Sequence, residues 1–87
     1  MVRRHIFFYG RVQGVGFRYY CVLKARALDL TGWVRNLYDG SVEAQIQGPE
    51  EDIQTLIRFL DQQRRIDITR IDSQTIPLAE EYGFFEH

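Results

Sequence analysis

The chain has 87 residues, 45% of them hydrophobic and 14% aromatic, which is the make-up of one packed domain and excludes a disordered chain. A net charge of −1 leaves no general field to attract nucleic acid or an acidic membrane. The single Cys21 excludes an internal disulfide and any multi-cysteine metal site.

The first apolar run, Arg4 to Tyr9, has apolar side chains at both parities, Ile6 and Phe8 against Phe7 and Tyr9. A strand with neighbours on both sides reads this way. His5, near its beginning, is expected to be solvated. Gly10-Arg11-Val12-Gln13-Gly14-Val15-Gly16-Phe17-Arg18 follows, with three glycines in seven positions that let the backbone turn tightly. A helix is expected from Phe17 or Arg18 to Leu28. Phe17, Cys21, Ala25 and Leu28 fall on one stripe, and Lys24 and Arg26 lie off it. Asp29 is expected in the left-handed position that glycine usually takes after a helix.

Thr31 to Leu37 reads as the second strand. The Asp39-Gly40 pair signals a tight hairpin turn. In the returning strand, Ser41 to Gly48, Val42, Ala44 and Ile46 face one way and Glu43, Gln45 and Gln47 the other, so one face is packed and one wet. Pro49 is expected at the first helical position of a second helix. Glu50, Glu51 and Asp52 suit its positive end, which accounts for them better than a metal site does. Ile53, Leu56, Ile57 and Leu60 give the clearest helical stripe of the chain. A polar connection leads to a strand at Ile71–Ile76, ended by Pro77, and Tyr82–Phe85 has the aromatic character of a short terminal edge strand. The order β-α-β-β-α-β predicts an α+β fold, a four-stranded antiparallel sheet with both helices on one face, the first strand central, and a short fifth strand at the C-terminus. Residues 1–87 are expected to form a single domain.

Two stretches carry chemistry. A strand, a glycine-rich loop and a helix in that order leave several N–H groups aimed at one spot, where the helix dipole favours an anion, phosphate above all. Arg18 opposes that dipole, by roughly 0.3–1 kcal/mol when exposed. Its position makes sense if a bound dianion lies between it and the loop. The pattern is neither the dinucleotide fingerprint nor the ATP-binding loop, and alone it suits an ordinary turn with a solvated arginine equally well. Asn36 is the second residue of interest, because asparagine is depleted in strands and its amide can both donate to and accept from a water. Taken alone, a polar residue on the wet face is the simpler reading.

Together, Gly10 to Arg18, Gly32-Trp33-Val34-Arg35-Asn36, Asp39-Gly40-Ser41-Val42-Glu43 and Gly48-Pro49 resemble the signature of the acylphosphatase family. The resemblance covers about Ile6 to Leu60 well and the remainder loosely. It implies a ferredoxin-like α/β sandwich and a hydrolase that splits acyl phosphates into carboxylate and phosphate with no metal or cofactor. By that resemblance Gly10, Arg11, Val12, Gln13, Gly14, Val15 and Gly16 form the phosphate cradle. Arg18 binds the phosphate and Asn36 orients the attacking water. Inorganic phosphate or sulfate would occupy the same site as a product-like ligand. Asp29 departs from the family's usual glycine, and Gln62–Thr69 lacks its usual Gly-Pro turn.

A leader pattern is absent and no apolar run approaches the ~18 residues of a membrane span, so a cytoplasmic, monomeric chain without nucleic-acid or membrane partners is expected. Two other readings stay open. One is a phosphate-binding accessory module without turnover. The other is an RNA-binding domain of the same element order, against which the third strand offers no aromatic residue for stacking.

Overall fold

The computed structural model describes residues 1–87. Its elements are β1 (Val2–Arg11), α1 (Phe17–Ala27), β2 (Thr31–Asn36), β3 (Val42–Gly48), α2 (Glu50–Asp61), β4 (Asp67–Ile76) and β5 (Phe84–Glu86). They form one five-stranded sheet in the order β4-β1-β3-β2-β5. The first four strands pair antiparallel, as expected for a ferredoxin-like sheet. The terminal strand joins parallel to β2, with Gly32 opposite Phe84 and Val34 opposite Glu86, so the sheet is mixed.

Alternation at period two builds the packed face. Ile6 and Phe8 of β1, Val34 of β2 and Val42, Ala44 and Ile46 of β3 are fully buried. The helices cover them with Phe17, Cys21 and Ala25 from α1 and Ile53, Leu56 and Leu60 from α2, all in one core. Each large side chain sealed this way contributes roughly 1.5–3 kcal/mol. Cys21 is part of this core, and burial pushes its thiol far above the ordinary range.

The end of α1 follows the expected pattern. Asp29 has φ 57°, and the N–H of Leu30 donates to Ala25 O at 2.9 Å while that of Asp29 donates to Arg26 O at 3.1 Å. These are the two bonds of a Schellman cap. Glycine would fill that position with less steric cost.

Several expectations need correction. β4 starts at Asp67 rather than Ile71; as an edge strand it is almost wholly exposed, so no alternation marks its beginning. Pro49 is the residue before the helix, and Glu50 is the first inside it. The connection between β2 and β3 is a five-residue loop rather than a two-residue turn. The open face of β3 is not uniformly wet, because Glu43 is buried there. His5 is not a free strand-end side chain: its Nε2 lies 2.7 Å from Glu43 Oε2, and Arg35 Nε donates to Glu43 Oε1 at 2.6 Å. Burial alone would push the Glu43 carboxyl up. The bonds from His5 and Arg35, and the charge they bring, outweigh that and hold it below the ordinary glutamate value of 4.5.

Candidate active site

β1 and β2 both run antiparallel to β3, so they run parallel to each other and end at the same edge of the sheet. Gly10 and Arg11 are still strand, paired with Ile68 and Asp67 of β4. The register slips between Tyr9 and Gly10, where φ is 118°. A Cβ on Gly10 would collide with the main chain of Asp67 and Thr69, so this kink depends on glycine. The turn itself occupies residues 12–16, and Gly16, at φ 83°, opens α1 with no side-chain cap.

The hydrogen bonds of this turn are incomplete. The N–H groups of Gln13, Gly14, Val15 and Gly16 donate to no acceptor in the protein. Those of Phe17, Arg18 and Tyr19 belong to the first helical turn, which has no intrahelical acceptor for them. The first turn of α2 carries Glu50, Glu51 and Asp52, whereas that of α1 carries no acidic residue. The start of α1 thus presents unsatisfied donors and a positive dipole with no negative charge of its own.

Asn36 reaches the same place from the opposite side. It is the last residue of β2 and shares the parity of Gly32 and Val34, both of which face the helices. Val42 lies between it and Phe8 in one row across the sheet. Its side chain makes no hydrogen bond to the protein and opens into a cavity of about 190 Å³ lined also by Val12, Gly14, Gly16, Phe17, Arg18, Tyr19 and Glu86. The asparagine is therefore on the packed side of the sheet, at its rim, and not on the wet face.

The structure brings Val12, Gly14, Gly16, Arg18 and Asn36 around that one cavity. Gly10 and Arg11 stay in the strand that leads to it, and Val15 is buried beside it. The side chain of Gln13 turns away and donates from Nε2 to Leu37 O at 2.7 Å and to Ser41 O at 2.9 Å. It thereby ties the glycine-rich turn to the loop that follows Asn36. That loop is locked further by the Ser41 hydroxyl and N–H, which bond to Asp39 Oδ1 and hold the Asp39 carboxyl below its ordinary 3.8.

Two residues at the site had no signal in the sequence. β5 runs alongside β2 toward the same edge, so Glu86 Oε2 lies 3.7 Å from Arg18 Nε, and Arg18 Nη1 donates to His87 O at 3.4 Å. The guanidinium is thus held at the cavity mouth by groups 68 and 69 residues away in sequence, and no local pattern reports a parallel pairing of that span. A larger groove of about 670 Å³ lies under His5, Phe7 and Tyr9 on the open face. The β1 main chain at His5 and Phe7 is paired to β3 and β4 there, in contrast to the unpaired turn at residues 13–16. No group of three or more His, Cys, Asp or Glu side chains is arranged to hold a metal ion.

The family model described as Acylphosphatase matches residues 4–87. The chain is 52% identical over 65 residues to the acylphosphatase of Moorella thermoacetica, an alignment covering 75% of this chain and 67% of that one. It is 43% identical over 81 residues to the acylphosphatase of Pseudomonas paraeruginosa, covering 92% and 89%. The chain spans about three fifths to two thirds of the length of the first curated relatives it matches. Among solved structures, the acylphosphatase from Bacillus subtilis superposes with a TM-score of 0.92 at 34% identity, covering 100% of this chain and 99% of that one. The fold, the ends of β1 and β2 on one side of the sheet and these likenesses agree: the chain belongs to the acylphosphatase family.

Proposed function

We infer that this chain hydrolyses acyl phosphates to a carboxylate and inorganic phosphate at the cavity between the 12–16 turn and Asn36. The observation that carries the reading is the set of unsatisfied N–H groups in the turn and at the start of α1, with Gly14, Gly16 and Phe17 lining the same cavity as Arg18 and Asn36. The phosphoryl oxygens are held by those main-chain donors and by the guanidinium of Arg18. Arg18 exchanges its contacts with Glu86 and the His87 carbonyl for charge-assisted bonds to the phosphate. Gly14 and Gly16 leave the approach to the main chain open.

Phosphoryl transfer depends chiefly on positioning and charge stabilisation, so a site without a strong acid or base suffices when the leaving group is good. A carboxylate is such a group. The Asn36 amide accepts from a water and aims its oxygen at phosphorus, in line with the bond to the acyl oxygen. As the new P–O bond forms, the old one breaks and its electron pair leaves on the carboxylate. The water's proton passes to a phosphoryl oxygen, so no general base is required, and the carboxylate departs without a general acid. Fixed N–H dipoles and the guanidinium stabilise the equatorial oxygens throughout. Inorganic phosphate, as the product, competes for the same donors.

The test is loss of benzoyl phosphate followed with the wild-type chain and with Asn36→Ala. Wild type is expected to turn over with competitive inhibition by inorganic phosphate. Asn36→Ala is expected to keep that inhibition while kcat falls, since it loses only the group that aims the water. No turnover by the wild type, or an alanine variant that turns over normally, refutes the reading.

A further inference from the structure

We propose that Arg65 is a positioning residue for the phosphate site: its guanidinium holds the Gly14–Val15 peptide so that the Val15 N–H is turned toward the bound phosphoryl group. This rests on the reading of the site given above.

The turn has little support of its own. Of the carbonyls of Val12, Gln13, Gly14 and Val15, only that of Gly14 accepts a hydrogen bond, from Arg65 Nη2 at 3.3 Å. Gly14 has φ 72°, and nothing lies within 4 Å of the place its Cβ would take. A glycine in such open space lets the peptide plane after it rotate at low cost. A hydrogen bond to one end of that plane is then what selects its orientation.

A trans peptide is planar, and its C=O and N–H point in opposite directions. No cis peptide interrupts the chain. A bond that draws Gly14 O toward Arg65 therefore turns the Val15 N–H away from Arg65. Arg65 stands in a cleft of about 350 Å³ lined also by Val15 and Gly16, outside the cavity that holds Arg18 and Asn36. Gly14 and Gly16, the neighbours of Val15 on either side, both line that phosphate cavity. The N–H between them, directed away from Arg65, is thus turned to the anion. A cationic donor on the carbonyl also polarises the peptide and strengthens its N–H as a donor.

The arginine is delivered from a fixed stretch of chain. It lies in the connection from α2 to β4, where Gln63 N–H donates to Leu60 O at 3.2 Å and Ile66 N–H to Gln63 O at 3.1 Å. Gln63 Nε2 adds a bond to Phe59 O at 2.9 Å, and the Ile66 side chain is buried in the core. The connection is thereby anchored on both sides of Arg65, and the position of its guanidinium follows from α2 and not from the turn.

The experiment titrates inorganic phosphate into the wild type, Arg65→Met and Arg64→Met, followed by amide NMR, and measures kcat and KM for benzoyl phosphate in each. Methionine keeps an unbranched apolar stem and removes the donors. Arg65 is exposed, so the fold does not depend on this bond. Arg64 is the control for charge: it lines the same cleft, and its side chain makes no ion pair and no hydrogen bond to the protein. In Arg65→Met the dissociation constant of phosphate and the KM should both rise about fivefold, as the loss of one oriented donor predicts. Its kcat should change less, because this donor holds the phosphate before the transfer as well as during it. Arg64→Met should move either constant by less than about twofold. The Val15 amide signal should be displaced in free Arg65→Met and should lose the response to phosphate that it shows in the wild type. Native phosphate affinity in Arg65→Met, an equal loss in Arg64→Met, or a Val15 amide that responds as in the wild type overturns the proposal and leaves the hydrolase reading intact. A wild type that neither binds phosphate nor hydrolyses benzoyl phosphate refutes the reading on which it rests.

Discussion

Replacing Gln13 by methionine removes the side chain that ties the glycine-rich turn to the loop after Asn36, while keeping much of its volume. Two hydrogen bonds are lost, to Leu37 O at 2.7 Å and Ser41 O at 2.9 Å. Each is worth about 0.5–1.5 kcal/mol net, so the variant should lose about 1–3 kcal/mol of stability. No further penalty for orphaned carbonyls applies. Leu37 O still accepts from the Gly40 N–H at 3.2 Å, and Ser41 O from the Leu37 N–H at 2.9 Å. Urea unfolding should show a lower midpoint with the same slope. The kinetic consequence is larger in kind, because the brace sets phosphate donors and the water-aiming amide in register. A misplacement on the order of 1 Å costs roughly a hundredfold in rate. Benzoyl phosphate turnover should therefore fall steeply, and inhibition by inorganic phosphate, held by the turn and Arg18 without Asn36, should change less. An unchanged urea midpoint together with native kcat would refute the argument.

Two other outcomes follow from particular groups. Arg18→Lys should not restore activity, since an ammonium cannot reproduce a planar fork of donors; kcat/KM for benzoyl phosphate should fall by at least about tenfold, and near-native turnover would count against the role given to Arg18. Glu43 is held below its ordinary value in the fold by His5 and Arg35. Its contribution to stability is thus complete above about pH 4.5 and is lost as pH falls through its lower folded value. Urea midpoints measured from about pH 6 to about pH 3 should drop less steeply for Glu43→Gln than for the wild type; parallel curves would contradict the linkage.

Local pattern was most informative where burial is one-sided. The stripe Ile53, Leu56, Leu60 and the alternation Val42, Ala44, Ile46 each reported both the element and its buried face, because one face of each is sealed in the core. Asp29 was legible as a left-handed cap because a helix stripe ends just before it. β4 began four residues earlier than its apolar pattern suggests, since an exposed edge strand has no buried face to create one. His5 was misread because its partner, Glu43, is 38 residues away on a neighbouring strand. At the site, the turn and Asn36 were visible as residue types, and the parity of Gly32, Val34 and Asn36 was available to show that the asparagine faces the helices. Its meeting with the turn depends on β1 and β2 ending together, which strand order decides. The brace by Gln13 and the approach of Glu86 to Arg18 depend on that same tertiary arrangement, and no spacing in the sequence announces them.

The central claim is that main-chain donors of one turn, with Arg18, receive a phosphoryl group beside Asn36. The most direct measurement is a titration of the protein with inorganic phosphate followed by amide NMR, in the wild type and in Arg18→Ala. Saturable shifts should concentrate on the N–H groups of Gly14, Val15, Gly16, Phe17 and Arg18 and on the Asn36 side-chain amide, and should vanish in Arg18→Ala. Shifts centred on the open sheet face around His5 and Tyr9, or shifts at the turn that persist without Arg18, would contradict it.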